Sequence, residues 1–148
     1  AREHALRAVT TPALLAGAKK PDASSKVLAE RPGTQLQVAE AEAHLRAARA
    51  FVDRCVDVAW AQAERGGAIA IDARRDLRLA ATHAVRAATR AIDLAYGLGG
   101  GSSVYRRSPL QRFFRDAHVA TQHMMVSDAS LELAGRLFLG LPTDATML

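Results

Sequence analysis

Cysteine is nearly missing from the sequence. Only Cys55 is present, which excludes an internal disulfide framework. It falls on the apolar side of a helical pattern, as a buried thiol rather than a nucleophile. Aromatic residues make up 5% of the chain and β-branched runs are almost absent, so no strand of consequence is expected. No apolar run reaches the roughly 18 residues of a membrane span. No charged n-region and apolar h-region open the chain, so no secretory signal is read and a cytoplasmic protein is expected. Net charge is +5, yet no block of five like charges occurs. The arginines are scattered among Asp and Glu, whereas nucleic-acid binding needs a clustered basic face, so no nucleic-acid partner is expected. The five histidines, His4, His44, His83, His118 and His123, form no HExxH pair and no Cys/His cluster. His118 and His123 stand at a poor spacing for sharing one metal on a helix. No metal site is expected, because zinc takes three or four convergent ligands. GxSxG and SxxK are missing too, which argues against a hydrolase.

What remains is rich in helix formers. Hydrophobic residues make up 49% of the chain, and alanine leads them. The expected fold class is all-α, an antiparallel helical bundle in a single domain covering 1–148. Residues 1–10 read as helix, with no cap and no initiator Met, which suggests a piece of a longer protein. Thr11-Pro12 is a break or a fresh helix start. Residues 17–33 read as an internal linker rich in Lys, Pro, Ser and Gly, with a short turn over 25–30.

The next helix has start chemistry: Thr34 as N-cap and Gln37 at N3 form a capping box. Leu45, Ala48, Val52, Cys55, Ala59 and Ala63 recur at helical spacing, and Gly66-Gly67 ends the run near Arg65. A third helix starts near Asp72 as N-cap. Its seam is Leu77, Ala81, Ala84, Ala88, Ala91, Ala95 and Leu98, whose small residues allow close helix approach. It ends in the Gly97 to Gly101 region, and a Gly-rich loop continues to Arg107. Ser108-Pro109-Leu110-Gln111 makes a second capping box with Pro109 at N1. Ser127-Asp128 caps a final helix over about 129–139, which Gly140 and Pro142 terminate.

Two stretches bear on chemistry. Gly99-Gly100-Gly101-Ser102-Ser103 is suited to cradling a phosphate with backbone N–H groups, or to a plain helix–helix connection. The second, Ser108 to His123, sets Arg112 and Arg115 beside Phe113 and Phe114, with Asp116 next. An Arg115–Asp116 salt bridge at the edge of the core is one reading.

Gly100-Gly101, Pro109, Arg112, Arg115 and Asp116 together resemble the signature of the acyl-CoA dehydrogenase C-terminal domain. The spacing from Gly100 to Asp116 matches without a gap. Two positions depart from the true dehydrogenases. The glutamate that those enzymes carry nine residues after the Arg of the Arg-Asp pair is here Met124, and a thioether cannot abstract the α-proton of an acyl thioester. Their glutamine three residues before Gly-Gly, which holds the adenine half of the cofactor, is here Gly97. The remaining pattern is similar to the two-component flavin monooxygenases of the same fold, with Ser-Pro-Leu-Gln-Arg, Arg-Asp and a histidine eight residues after that Arg, His123.

That resemblance implies a flavin cofactor, FMN or FAD, delivered reduced by a separate flavin reductase. It implies oxygenation of a small-molecule aromatic or heteroatom substrate. It implies a catalytic His123 facing the flavin ring, and cofactor contacts from Gly100, Gly101, Ser102, Ser103, Arg112 and Arg115. Tyr105 and Arg106 lie in the same loop, while His118 reads as structural. A homo-oligomer, dimer or tetramer, is implied, and so is a parent chain with preceding helical and β-barrel domains. Kept open beside it are a dehydrogenase with its base supplied from elsewhere and a non-catalytic oligomerisation bundle.

Overall fold

The structure, a computed structural model, describes residues 28–148. The expected helix over 1–10, the Thr11-Pro12 break and linker residues 17–27 lie outside the described residues. Among the described residues the protein is all-α, as expected. Its elements are a 3-10 turn (Leu28–Glu30), α1 (Pro32–Glu64), α2 (Ile71–Gly99), a 3-10 turn (Gly100–Val104), α3 (Pro109–Thr121), a 3-10 turn (Met124–Val126) and α4 (Asp128–Phe138).

α1 begins two residues before the expected Thr34 cap, inside the last residues read as linker. Pro32 takes the first helical position, where its fixed φ suits a helix and its missing N–H costs nothing. The Arg31 carbonyl accepts from the N–H of Thr34 (3.0 Å) and of Gln35 (3.1 Å), so the ladder is running before Thr34. Thr34 is instead a buried helical residue. Gly66, at φ +76°, ends the run beyond α1 in a conformation that favours glycine, its N–H donating to Ala63 O at 2.9 Å. Gln62 Oε1 then accepts from the Ala70 N–H at 2.8 Å. α2 starts at Ile71, so Asp72 stands in its first turn and pairs with Arg75 at 3.0 Å rather than capping from outside.

The chain forms two compact units. The first joins 28–46 to Ala87–Val119. In it Ala41 and Leu45 pack on Ala91, and Arg90 pairs with Glu40 at 3.1 Å. Ile92 and Ala95 pack on Leu110, with Tyr96, Phe113 and Phe114 around them. The second unit joins Ala47–Arg86 to Ala120–Leu148. Cys55 and Ala59 are buried there on α1, as are Ser130 and Ala134 on α4, and the Arg75 guanidinium lies 4.0 Å over the Phe138 ring.

The buried seam of α2 differs from the expected one. Ala73, Ala80, Ala87, Ala91, Ala95 and Leu98 are buried, whereas Ala81 is exposed and Leu77, Ala84 and Ala88 are half-buried. The alanines of this helix fill a broad arc on one side of it, so spacing alone does not select which part of that arc faces inward. Fully buried Thr82 is satisfied locally, its hydroxyl donating to Arg78 O at 3.0 Å. On α1 the expected seam holds from Leu45 through Ala59, with Val52 half-buried, and Ala63 is exposed near the helix end.

The end of α2 is closed by a tight glycine contact. Ser103 is fully buried and its hydroxyl donates to Tyr96 O at 2.8 Å. A Cβ on Gly99 would stand 2.1 Å from Ser103 Oγ and 2.9 Å from Leu110 Cδ1. Gly99→Ala should therefore lower stability by about 2 kcal/mol, the scale of overpacking a core. Gly101→Ala meets nothing within 4 Å and should stay within about 0.5 kcal/mol of the parent. Urea unfolding of the two variants checks the contrast.

Burial pushes the Cys55 thiol above its usual range; the Asp76 charge adds to this and Arg54 offsets part of it. A thiol reagent should label Cys55 about 100-fold more slowly in the native protein than in denaturant, because access requires opening of the fold. Rapid native labelling would contradict its burial.

Candidate functional site

The first unit carries the glycine and arginine positions. Beyond α2 the chain forms a 3-10 turn over Gly100–Val104, where the sequence suggested an irregular loop. Gly100 has φ +54°, a conformation that favours glycine. Gly101 and Ser102 are exposed, and nothing crowds Gly101 within 4 Å of where a Cβ would stand. Ser103 faces the other way and fastens the turn to Tyr96. Pro109 opens α3, and buried Leu110 anchors its first turn. The sequence-predicted Gly100, Gly101, Ser102 and Ser103 thus form one turn, and Arg112 and Arg115 stand one helical turn apart on α3.

The expected Arg115–Asp116 pair is not what forms. Arg112 Nε donates to Asp116 Oδ2 at 3.4 Å across one helical turn, and both side chains are exposed. Adjacent residues on a helix point apart, whereas i and i+4 face each other. This pair is worth little to stability. Arg115 is exposed as well. His118 is structural: its Nδ1 is 2.8 Å from Phe114 O, its Nε2 is 3.4 Å from Asp93, and its ring stacks on Phe114 at 4.2 Å. Tyr105 is exposed beneath the Arg107 guanidinium, 5.1 Å from the ring centroid.

His123 lies in the second unit. It is exposed and occupies the N-cap of the 3-10 turn Met124–Val126, with Nδ1 accepting from the Met125 N–H at 3.2 Å. A ring that accepts at Nδ1 carries its proton on Nε2 when neutral. The turn is closed by Val126 N–H donating to His123 O at 3.0 Å. Ser127, expected as the cap of the last helix, stands at that position, but its hydroxyl donates back to Met124 O at 2.8 Å. Met124, in the position of the dehydrogenase glutamate, is 65% exposed.

Sequence reasoning missed a basic cluster beside this turn. Arg78 Nη1 donates to Met125 O at 3.1 Å and contacts Met125 Sδ at 2.9 Å, while its Nη2 donates to Met147 O. Arg74 Nη2 donates to Ala145 O (3.2 Å) and Leu148 O (3.1 Å). Arg86 pairs with Asp128 at the start of α4. A groove of about 630 Å³ is lined by Arg74, Leu77, Arg78, Ala81, Met125 and Val126. The available signal was the four-residue spacing of Arg74 and Arg78 beside Leu77 and Ala81. Among the described residues no His, Cys, Asp and Glu group could hold a metal, and no helix is long and apolar enough to cross a membrane.

Comparison with known proteins follows the same residues. Residues 4–128 match the acyl-CoA dehydrogenase C-terminal domain family. An indole-3-acetate monooxygenase of Pseudomonas putida is 42% identical over 76% of this chain. Among solved structures, the HsaA monooxygenase of M. tuberculosis superposes on 99% of the chain and 35% of its own, with a TM-score of 0.73 and 26% identity. XiaF from Streptomyces sp., solved with FADH2 and glycerol, superposes on 95% of the chain and 36% of its own, with a TM-score of 0.85; at 23% identity this likeness speaks to the fold alone. The chain spans 29% of the length of the P. putida relative. With a family match across most of its length and the same helical fold, the chain belongs to the acyl-CoA dehydrogenase C-terminal domain family.

Proposed function

We propose that this chain is the C-terminal helical domain of a two-component, flavin-dependent monooxygenase. The observation that carries the reading is His123, exposed and with Nδ1 held by the Met125 N–H, so that neutral Nε2 is left as a proton donor. Met124 occupies the place of the carboxylate that an acyl-CoA dehydrogenase needs. The named monooxygenase among the relatives points the same way.

The residues present fit a flavin nucleotide. Gly101 offers exposed backbone beside open space, Ser102 beside it is exposed, and Arg112 and Arg115 are exposed cations that suit phosphate. Gly100 supplies the positive φ of the turn; Ser103 contributes by fastening that turn. When bound, reduced FMN or FAD supplies the electrons and the reaction with oxygen. The first unit's residues are suited to a nucleotide phosphate, and in the second unit His123 is suited to hold a proton at Nε2. The substrate is a small aromatic or heteroatom-containing molecule, and a separate flavin reductase delivers the cofactor. The protein works in the cytoplasm. It assembles with copies of itself, a reading supported by Val56 and Trp60, 45% and 65% exposed one turn apart on α1.

The test uses the full polypeptide that carries this domain. Loaded anaerobically with reduced flavin and mixed with oxygen, the parent should return oxidised flavin slowly. His123→Ala should return it at least about tenfold faster, the scale of losing one positioned acid–base group. Equal rates would remove His123 from the reaction with oxygen. Residues 1–148 alone should show no turnover with a reductase, because the rest of the flavin pocket comes from the preceding domains.

A further inference from the structure

The His123 ring is held by a single backbone donor, and that donor is itself held from α2. Met125 gives its N–H to His123 Nδ1 at 3.2 Å. Its carbonyl accepts twice, from Arg78 Nη1 at 3.1 Å and from Ser130 Oγ at 3.0 Å. Arg78 Nη1 also touches Met125 Sδ at 2.9 Å. One guanidinium therefore grips both the backbone and the side chain of the residue that orients His123. Its other nitrogen holds Met147 O, so the last residues close over the same arginine. Arg78 is placed by α2, where its own carbonyl receives the buried Thr82 hydroxyl.

We propose that Arg78 is a positioning residue for His123, acting through Met125. It touches neither the imidazole nor, on this reading, the cofactor. Its planar fork fixes the Met124–Val126 turn, and the turn fixes which ring nitrogen of His123 carries the proton. A three-residue 3-10 turn with exposed ends has little rigidity of its own, because one such turn makes few hydrogen bonds. Lysine carries its three donors on one nitrogen rather than on a planar fork, so it reproduces the bridge between Met125 and Met147 only in part. Ser130 backs the same carbonyl from α4, so its loss should act in the same direction and more weakly.

The catalytic consequence rests on the role given to His123 above; the positioning itself does not, and the two are separable. The full-length protein is labelled with 13C in its histidine rings, and the His123 signals are identified by their loss in His123→Gln. At about pH 9, where an unperturbed imidazole is neutral, the ring-carbon shifts report the tautomer. The parent should show the Nε2–H form. Arg78→Gln should give a mixture of tautomers, and Arg78→Lys an intermediate spectrum. An unchanged His123 spectrum in Arg78→Gln overturns the proposal, provided circular dichroism and melting show that the variant is folded. If Arg78→Gln does not fold, Arg78→Lys serves, and a His123 tautomer unmoved in that folded variant overturns the proposal.

The reaction of reduced flavin with oxygen then separates the two claims. Arg78→Gln should speed the return of oxidised flavin about tenfold in the parent and change nothing further in His123→Ala, the signature of two residues on one path. An equal effect in both backgrounds would show that Arg78 acts independently, and overturns the proposal. If His123→Ala has no effect but the tautomer still moves with Arg78, the positioning stands and the monooxygenase role of His123 falls.

Discussion

A single face of α2 organises the C-terminal part of the second unit. Arg74, Arg78 and Arg86 reach from it to the backbone at Ala145, Met147 and Leu148, to Met125, and to Asp128. These contacts go mostly to backbone carbonyls, which need no particular partner sequence. A guanidinium is suited to this work, because its fork engages two acceptors at once and stays charged at any physiological pH. The bonds are largely solvent-exposed, so their value lies in geometry more than in stability. Of the three arginines, Arg78 alone reaches the Met124–Val126 turn, and through it the exposed histidine.

The first unit solves a different problem. Alanines on α1 and α2 let two helices approach closely, and α3 is seated by Leu110 against Ile92 and Ala95. The contact of Gly99 with Ser103 and Leu110 allows the chain to leave α2 in a short 3-10 turn. What this leaves exposed is backbone without bulk at Gly101, the neighbouring Ser102, and two cations on α3. Both units thus use helices to present short turns with exposed atoms.

Much of this was legible in the sequence, and the failures have physical causes. Helix class followed from Ala and Leu content. The start of α3 at Pro109 and the stop after α1 at Gly66-Gly67 followed from residues with few conformational choices. Thr34 misled because Pro32 supplies an equally good start two residues earlier. The α2 seam misled because alanines fill a broad arc on one side and blur the inward direction within it, and Thr82 occupies an inward position that pattern reading assigns to an apolar residue. Asp116 was matched to its neighbour Arg115, although helix geometry favours Arg112. Arg74 and Arg78 were read as scattered charge because their partners, carbonyls of Met125 and residues 145–148, leave no trace in residue type. His123 was singled out by its motif, but the hydrogen bond at its Nδ1, from a backbone N–H two residues on, was not legible.

The proposed function requires that the parent protein receive its flavin already reduced. A cofactor that arrives by diffusion from a reductase must be captured in the reduced state and released once oxidised. The direct measurement is an anaerobic equilibrium titration of the full-length protein with reduced and with oxidised FMN and FAD. The account predicts reduced flavin bound at least about tenfold tighter, a difference of about 1.4 kcal/mol between the two states. Oxidised flavin held more tightly, and bleached on addition of an acyl-CoA, would contradict it and return the protein to the dehydrogenases.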